Sequence, residues 1–443
     1  MNRFVFVCLF LSIAGATMDA QTLNVTEHIL KNGLKIILQE DHTVPSVCYY
    51  TFFKAGGRTE RPGITGISHL FEHMMFNGSA KYAPMMFDRI IESGGGYSNG
   101  STWNDFTNYW EEFNPDILET ILDMEADRMR ALRVDAANLE QERGIVMEER
   151  RLSVDNNVTA KMYEELYAAA FVASMYHFPV IGWMKDIENI TLDDAKKYYR
   201  TFYAPNNAVV IITGDFNSDR VMELMEKKFG DIPSQEPPQR VIDAEPPQEG
   251  EKRVELHKVA ELPAVAIAYK GAAATDSDFY ALDLLATILS RGESSRLYRT
   301  LIYEKQLVAD VSASNDEFID PGLFIIYAQM RPGKTTSEAE KEIYSIIADI
   351  QQNGVSDTEL QKAKNAVQAD YVRRLETNQG RGFLLGFYEV VHGDYHVMFD
   401  VLNNYNAVTR ADVQRVAKKY LTDRNRTVVT LFPEKPEETA ATH

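Results

Sequence analysis

His69 and His73 stand four residues apart with Glu72 beside the second, in the run Gly66-Ile67-Ser68-His69-Leu70-Phe71-Glu72-His73. On a helix, side chains four apart lie one turn apart on one face, so both imidazoles can reach a single metal ion. Glu72 projects along the same rim and can hold a water at that ion without binding it. This HxxEH spacing suits metal-assisted hydrolysis. The same residues could also form a solvated helix face. Against that, Ile67, Leu70, Phe71 and Met74 supply an apolar stripe that anchors the helix in a core.

A catalytic zinc site takes three protein ligands and leaves a fourth position to water, so a third ligand must come from elsewhere. The best candidate stretch is Leu139 to Arg150, which contains Glu142-Arg143-Gly144-Ile145-Val146-Met147-Glu148-Glu149. Here the chain resembles the pitrilysin, insulin-degrading and mitochondrial processing peptidases, which pair HxxEH with a distant Glu in an ERxxVxxE context. The resemblance implies Glu149, 76 positions after His73, as the third ligand of one Zn2+ per chain. Glu142, two helical turns earlier, matches an acidic position of the family; its implied role is to orient a histidine ring or balance the metal charge. Glu148 points about 100° away from Glu149 on a helix and is expected to be a surface acid.

The resemblance extends along the chain. Gly94-Gly95-Gly96-Tyr97-Ser98-Asn99-Gly100-Ser101-Thr102, then Asp105-Phe106-Thr107-Asn108-Tyr109, is similar to the family's GGxxNAxT…DxTxY stretch. There it carries an edge strand to which a peptide substrate adds as a further strand, pairing through the main chain with little demand on side chains. Asn99, Gly100 and Ser101 are the implied substrate contacts. Gly100 replaces the usual Ala and is expected to loosen the strand. A plain glycine-rich hairpin is the alternative. Pro179-Val180-Ile181-Gly182-Trp183, Asp186-Ile187-Glu188 and Tyr203-Ala204-Pro205-Asn206-Asn207-Ala208 also resemble the bacterial branch of the family. Val209 to Asp215 is expected to be a buried strand ending in a turn.

With 443 residues the chain should hold two or more domains. The Pro- and acid-rich stretch from Ile232 to Glu251 marks an extended linker between near-equal halves. Val44-Pro45-Ser46-Val47 and Leu262-Pro263-Ala264-Val265 open similar strand-then-helix patterns. Aligning Gly78 with Gly292 sets Asp283, Ala286 and Thr287 where His69, Glu72 and His73 stand. The second half thus has the pattern without the metal chemistry. Strands alternating with amphipathic helices predict an α+β fold of two similar domains, each a mostly antiparallel sheet with helices on one face, together half a clamshell. The expected division is a signal peptide over 1–20, a zinc-bearing domain over 21–231, a linker over 232–252, a metal-free repeat over 253–432 and a disordered tail over 433–443.

Asn2-Arg3 followed by an apolar run to about Ala14 and small residues predicts a secretory signal cut after Ala16 or Ala20. The run is short for a bilayer span, so no integral membrane segment is expected after its removal. Only Cys48 would remain, which excludes a disulfide framework within the chain. A net charge of −19 argues against nucleic acid and favours basic peptides. Sequons at Asn77 and Asn99 fall beside the site, where a glycan would obstruct substrate. They are read as unmodified, with the bacterial periplasm as the destination.

The resulting expectation is a zinc metalloendopeptidase acting on unstructured peptides, with Glu72 as general base. Active members of the family complete the site with an Arg and a Tyr seven positions apart, in a stretch resembling LRxxxxLxY. Here Ile302 and Ala309 occupy those places, and Arg296 and Tyr303 have the right separation but the wrong register. The inferred partner is a related subunit lacking HxxEH that supplies the pair, making a heterodimer; a homodimer is the alternative. A non-catalytic scaffold or peptide-binding subunit is the competing function. Thr377 to Gly382 is either a chamber loop or a helix break, and His177, His257, His392 and His396 are expected to be structural or surface groups.

Overall fold

A computed structural model describes residues 23–238 and 244–435. The expected signal peptide and residues 436–443 of the expected tail lie outside them. The first sheet contains β1 (Val25–Ile29), β2 (Lys35–Glu40), β3 (Val47–Phe53), β4 (Tyr97–Thr102), β5 (Thr107–Phe113) and β6 (Ala208–Gly214). Its strand order is β1-β2-β6-β3-β5-β4. The second contains β7 (Lys252–Val259), β8 (Ala264–Lys270), β9 (Val308–Asn315), β10 (Leu323–Met330) and β11 (Arg426–Glu434), in the order β7-β11-β8-β10-β9. Among the described residues, only β2–β6 and β7–β11 pair in parallel. Without β1, the two sheets share one topology: β2 corresponds to β7, β6 to β11, β3 to β8, β5 to β10 and β4 to β9.

Among the described residues, the first half contains helices α1 (Ile67–Met74), α2 (Met86–Ser93), α3 (Leu118–Ala131), α4 (Ala136–Arg150), α5 (Val158–Ala170), α6 (Met184–Asn189), α7 (Leu192–Phe202) and α8 (Ser218–Phe229). The described residues of the second half contain α9 (Phe279–Ser290), α10 (Thr336–Asn353), α11 (Asp357–Leu375), α12 (Asn378–Phe387), α13 (Val397–Ala407) and α14 (Arg410–Tyr420). The fold is therefore two-domain α+β.

Every residue of β3 and β6 is buried, because both faces of the central strands are covered. Val47, Tyr49 and Phe53 face a core built with α1, α3, α7 and α8. Cys48, Tyr50 and Phe52 face the opposite way, into a core continuous with the second half. The cover on that side is α12, capped by Thr377 through the Gly380 N–H. Gly382 and Gly386 let it approach, since a Cβ at either would press on the Tyr50 or Phe52 ring. The exchange is reciprocal. Met162, Leu166 and Ala170 of α5 pack on Ala264, Ala266 and Ala268 of β8, alanines small enough to admit a helix. Each half thus lends a helix to the other's sheet. Thr377 to Gly382 follows the break between α11, which ends at Leu375, and α12, which Thr377 caps, so of the two expectations the helix break holds and the loop does not.

Two expected boundaries shift. Lys252, assigned to the linker, opens β7 opposite Thr427, and Pro433 and Glu434, assigned to the tail, pair with Lys258 and Val259. The strand persists there because β7 continues beside it after β8 has ended. The linker is fastened at Glu245, whose carboxylate accepts the N–H groups of Val172, Ala173 and Ser174 and pairs with Lys270. Burial opposes ionisation of Glu245, yet the Lys270 ammonium and those three N–H groups hold its carboxyl at about 2.

Two stability predictions follow from these contacts. Gly386→Ala should destabilise the protein by about 1–3 kcal/mol, read from urea unfolding, because the added methyl overlaps the Phe52 ring. A carboxyl depressed in the folded state contributes stability that is full above its unfolded pKa of about 4.3 and is lost as pH falls toward the folded value. Glu245→Gln should therefore lower the melting temperature at pH 7, with the gap to wild type closing between pH 5 and pH 2.

Candidate metal centre

Helix α1 starts at Gly66, whose left-handed backbone (φ 87°) turns the chain sharply into the helix. Gly182 has the same conformation (φ 85°), and the two glycines lie back to back, with no room for a Cβ on either. Buried Glu60 accepts the Gly66 and Ser68 N–H groups at 2.7 and 2.8 Å, satisfying donors that the helix start leaves open. Ile67, Leu70, Phe71 and Met74 are fully buried, which turns His69, Glu72 and His73 toward α4.

Helix α4 is capped by Asp135 and ends at Arg150. The Arg150 guanidinium is buried, forks onto Glu164 of α5 at 2.8 and 3.1 Å, and donates to the Gly182 carbonyl at 2.8 Å. Its neighbour Glu149 is thereby set opposite α1. The Nε2 atoms of His69 and His73 lie 3.7 and 3.2 Å from the two Glu149 carboxylate oxygens. One ligand atom from each residue falls within 4.8 Å of the others. The rings meet edge to face at 5.0 Å, with their Nε2 atoms converging. Glu142 stands behind His73, its Oε2 3.6 Å from Nδ1, while Glu148 points outward and pairs with Arg151.

Tetrahedral zinc with bonds near 2.1 Å separates its donors by about 3.4 Å, so the observed spacing suits that ion. Protonation chemistry agrees. Burial pulls His69 down, against the charges of Glu72 and Glu149, and favours the neutral imidazole that a metal requires. Burial also acts to lower His73, but Glu142 and Glu149 outweigh it and raise the group to about 9. The His73 pocket therefore stabilises positive charge.

Strand β4 is one of the two edges of the first sheet, β1 being the other. Glu72 meets it directly, since Thr102 Oγ1 donates to Glu72 Oε2 at 2.6 Å. A Cβ on Gly100 would lie 3.1 Å from Glu72 Cγ. The Tyr109 ring would lie 3.2 Å away, so glycine there answers to close approach by both side chains. Asn99 is exposed and folds its Oδ1 onto the Gly100 N–H at 2.8 Å, so a pairing peptide must displace it. Ser101 donates to Asn108 at 2.5 Å.

Arg296 and Tyr303 do not join this centre. Arg296 is held by Glu359 and Asp349, and Tyr303 is 76% exposed. His177, His257, His392 and His396 contact Ser174, Phe432, Glu317 and Asp394 respectively, away from the site. Sequence reasoning assigned no role to Thr102, Glu60 or Arg150. Thr102 had a signal, as the last residue of the glycine-rich edge; Glu60 and Arg150 act through distant partners and had none.

Residues 35–182 match the family model for insulinase (peptidase family M16), and residues 189–367 match that for the peptidase M16 inactive domain. A zinc protease of Helicobacter pylori, PqqE, is 32% identical over 95% of this chain and 96% of its own length. A mitochondrial-processing peptidase subunit beta of Lentinula edodes is 24% identical over 89% of this chain and 87% of its own. Among solved structures, a protease from Helicobacter pylori has a TM-score of 0.88 at 31% identity, covering 93% of this chain and 99% of that one.

The centre predicts a graded response in metal binding, measured by zinc titration of the purified protein. Glu149→Ala should abolish stoichiometric zinc. Glu142→Gln should keep it while weakening affinity roughly 10- to 100-fold, the usual cost of losing the partner of a metal-bound imidazole.

Proposed function

The chain belongs to the M16 peptidase family, and from that premise we propose that it is itself a working zinc endopeptidase for unstructured peptides. The observation that carries this reading is the convergence of His69, His73 and Glu149 within 4.8 Å, with Glu72 beside them on the same helix face. A zinc ion held by those three donors would polarise the scissile carbonyl and bring the pKa of an attacking water to about 7.

The protein's own groups do the rest. Thr102 holds Glu72 through Oε2, leaving Oε1 to take a proton from the water as its oxygen attacks the carbonyl carbon. Glu72 then gives that proton to the amide nitrogen as the C–N bond breaks, and the product amine leaves neutral. The free edge of β4 would carry the substrate as an added strand, which demands a peptide without pairing partners of its own. Folded proteins are thereby excluded.

Among the described residues, neither Arg296, held by Glu359 and Asp349, nor Tyr303, which faces solvent, joins the centre. This favours a related subunit as partner, giving a heterodimer. The apolar N-terminal run supports export, with the periplasm as the destination. A scaffold role has no comparable support, because a scaffold has no need of a complete donor set.

Glu72→Gln should retain zinc at one ion per chain while lowering kcat on a quenched fluorescent peptide roughly 10^2- to 10^4-fold. Cleavage at the wild-type rate would remove Glu72 from the mechanism, and a wild-type protein without bound zinc would sink the enzyme reading. Hydrolysis by the chain alone should be slow and should rise when a related subunit lacking HxxEH is added. Full activity from the isolated chain would exclude the heterodimer.

A further inference from the structure

Four Asn-Gly dipeptides occur in the chain, at Asn32, Asn77, Asn99 and Asn353. In each, the glycine nitrogen follows a side-chain carboxamide closely enough to form a five-membered imide with it, and glycine has no Cβ to block that closure. The fold treats them differently. At Asn32, Nδ2 donates to the Phe229 and Ile232 carbonyls and Oδ1 accepts the Leu34 N–H, while the Gly33 N–H donates to the Leu30 carbonyl. At Asn353, Nδ2 donates to Asp349 Oδ1 and the Gly354 N–H to the Ile350 carbonyl. Asn77, just past α1, has its Nδ2 shielded from water.

Asn99 is the exception. It is exposed on β4, and its Oδ1 accepts the Gly100 N–H at 2.8 Å, so the carboxamide carbon sits beside the nitrogen that would attack it. Asn99 Nδ2, the group that would leave, has no hydrogen-bond partner among the described residues. Strand alternation leaves the nitrogen available. The Trp103 N–H donates to the Phe106 carbonyl where the β4–β5 hairpin closes, and counting back in twos makes Ser101–Asn108 and Asn99–Trp110 the pairs that exchange backbone hydrogen bonds. Gly100 falls between them, with its N–H turned away from β5. Because β4 is an edge, no further strand claims that N–H among the described residues.

We propose that Asn99 and Gly100 form a self-modification site that retires the β4 edge with time. The Gly100 nitrogen gives its proton to water and bonds to Asn99 Cγ; the Cγ–Nδ2 bond breaks, and ammonia leaves with a proton from solvent. A cyclic imide then joins the two residues. Water opens it, giving aspartate by attack at Cγ and isoaspartate by attack at the main-chain carbonyl carbon. Water is taken up and ammonia lost in equal amounts. Either product adds a negative charge to the edge that passes Glu72. Isoaspartate also lengthens the main chain by a methylene, and, as at a bulge, the ladder beyond it loses register. Ser101 and Thr102 follow directly, so the Thr102 bond to Glu72 is displaced. His69, His73 and Glu149 lie on α1 and α4 and keep their places.

The modification needs no part of the peptidase reading; only its effect on cleavage rests there. The purified chain is incubated in warm, mildly alkaline buffer made with heavy-oxygen water, folded or in urea, then digested, and each Asn-Gly peptide is followed by mass spectrometry. In urea the sites should convert at comparable rates, since sequence alone acts there. In the folded protein, Asn32, Asn77 and Asn353 should slow roughly 10- to 100-fold while Asn99 keeps pace with its rate in urea, as a carboxamide already placed against its attacking nitrogen implies. Protection of Asn99 as deep as that of the other three overturns the site. Peptide cleavage by the incubated protein should fall in proportion to the converted fraction while zinc stays stoichiometric. Asn99→Gln, which would have to close a six-membered ring, should keep whatever activity it starts with. An equal decay in Asn99→Gln overturns the retirement of the edge. If the fresh chain cleaves nothing, the peptidase reading falls, and the mass readout alone decides the modification.

Discussion

The buried fork from Arg150 to Glu164 is the constraint on which the rest of the molecule turns. It fixes the last turn of α4, and so the carboxylate of Glu149, to α5, which lies on the far sheet. The same guanidinium holds the Gly182 carbonyl, and Gly182 is pressed against Gly66 at the start of α1. One side chain thereby registers both helices that carry the proposed ligands. A buried pair of this kind adds little net stability, but loss of one partner leaves an uncompensated charge, so its geometry is strongly enforced.

The exchange of α5 and α12 makes the two halves interdependent. A sheet left bare on one face would expose Tyr50, Phe52 and Ile211, which the other half instead buries. Covering both faces leaves the outer edges as the places where backbone groups stay available. The edge at β4 is the one that passes Glu72, so the demands of burial also determine where a peptide strand can add.

The two sheets repeat one topology but diverge in charge. In the first half, imidazoles and carboxylates converge on a point suited to a cation of charge two. In the second, Asp283 stands where His69 does and accepts the Tyr405 hydroxyl. The shared fold supplies equivalent positions, and the side chains decide what each position attracts. Glu60 and Glu245 show acids in another use. Both accept backbone N–H groups, but burial raises Glu60 to about 8 whereas Lys270 keeps Glu245 at about 2.

Much was legible in the residues alone. The 3.6-residue spacing of Ile67, Leu70, Phe71 and Met74 determined that His69, Glu72 and His73 would share an outward rim, because helical geometry is local. Val209 to Asp215 was legible as a buried strand, but helices were expected on one face of each sheet, and the cover on the second face was not. Period and propensity carry no information about partners hundreds of residues away, so the reciprocal loan of α5 and α12, the Glu60 cap and the Arg150 fork were decided by tertiary packing. The same holds for Gly100. Its sequence context suggested a loose strand, and only the fold brings Glu72 and the Tyr109 ring close to the place a side chain would take. The types of the chemical groups were written in the chain; their distances belong to the fold, because a distance between remote residues exists only once both have been packed.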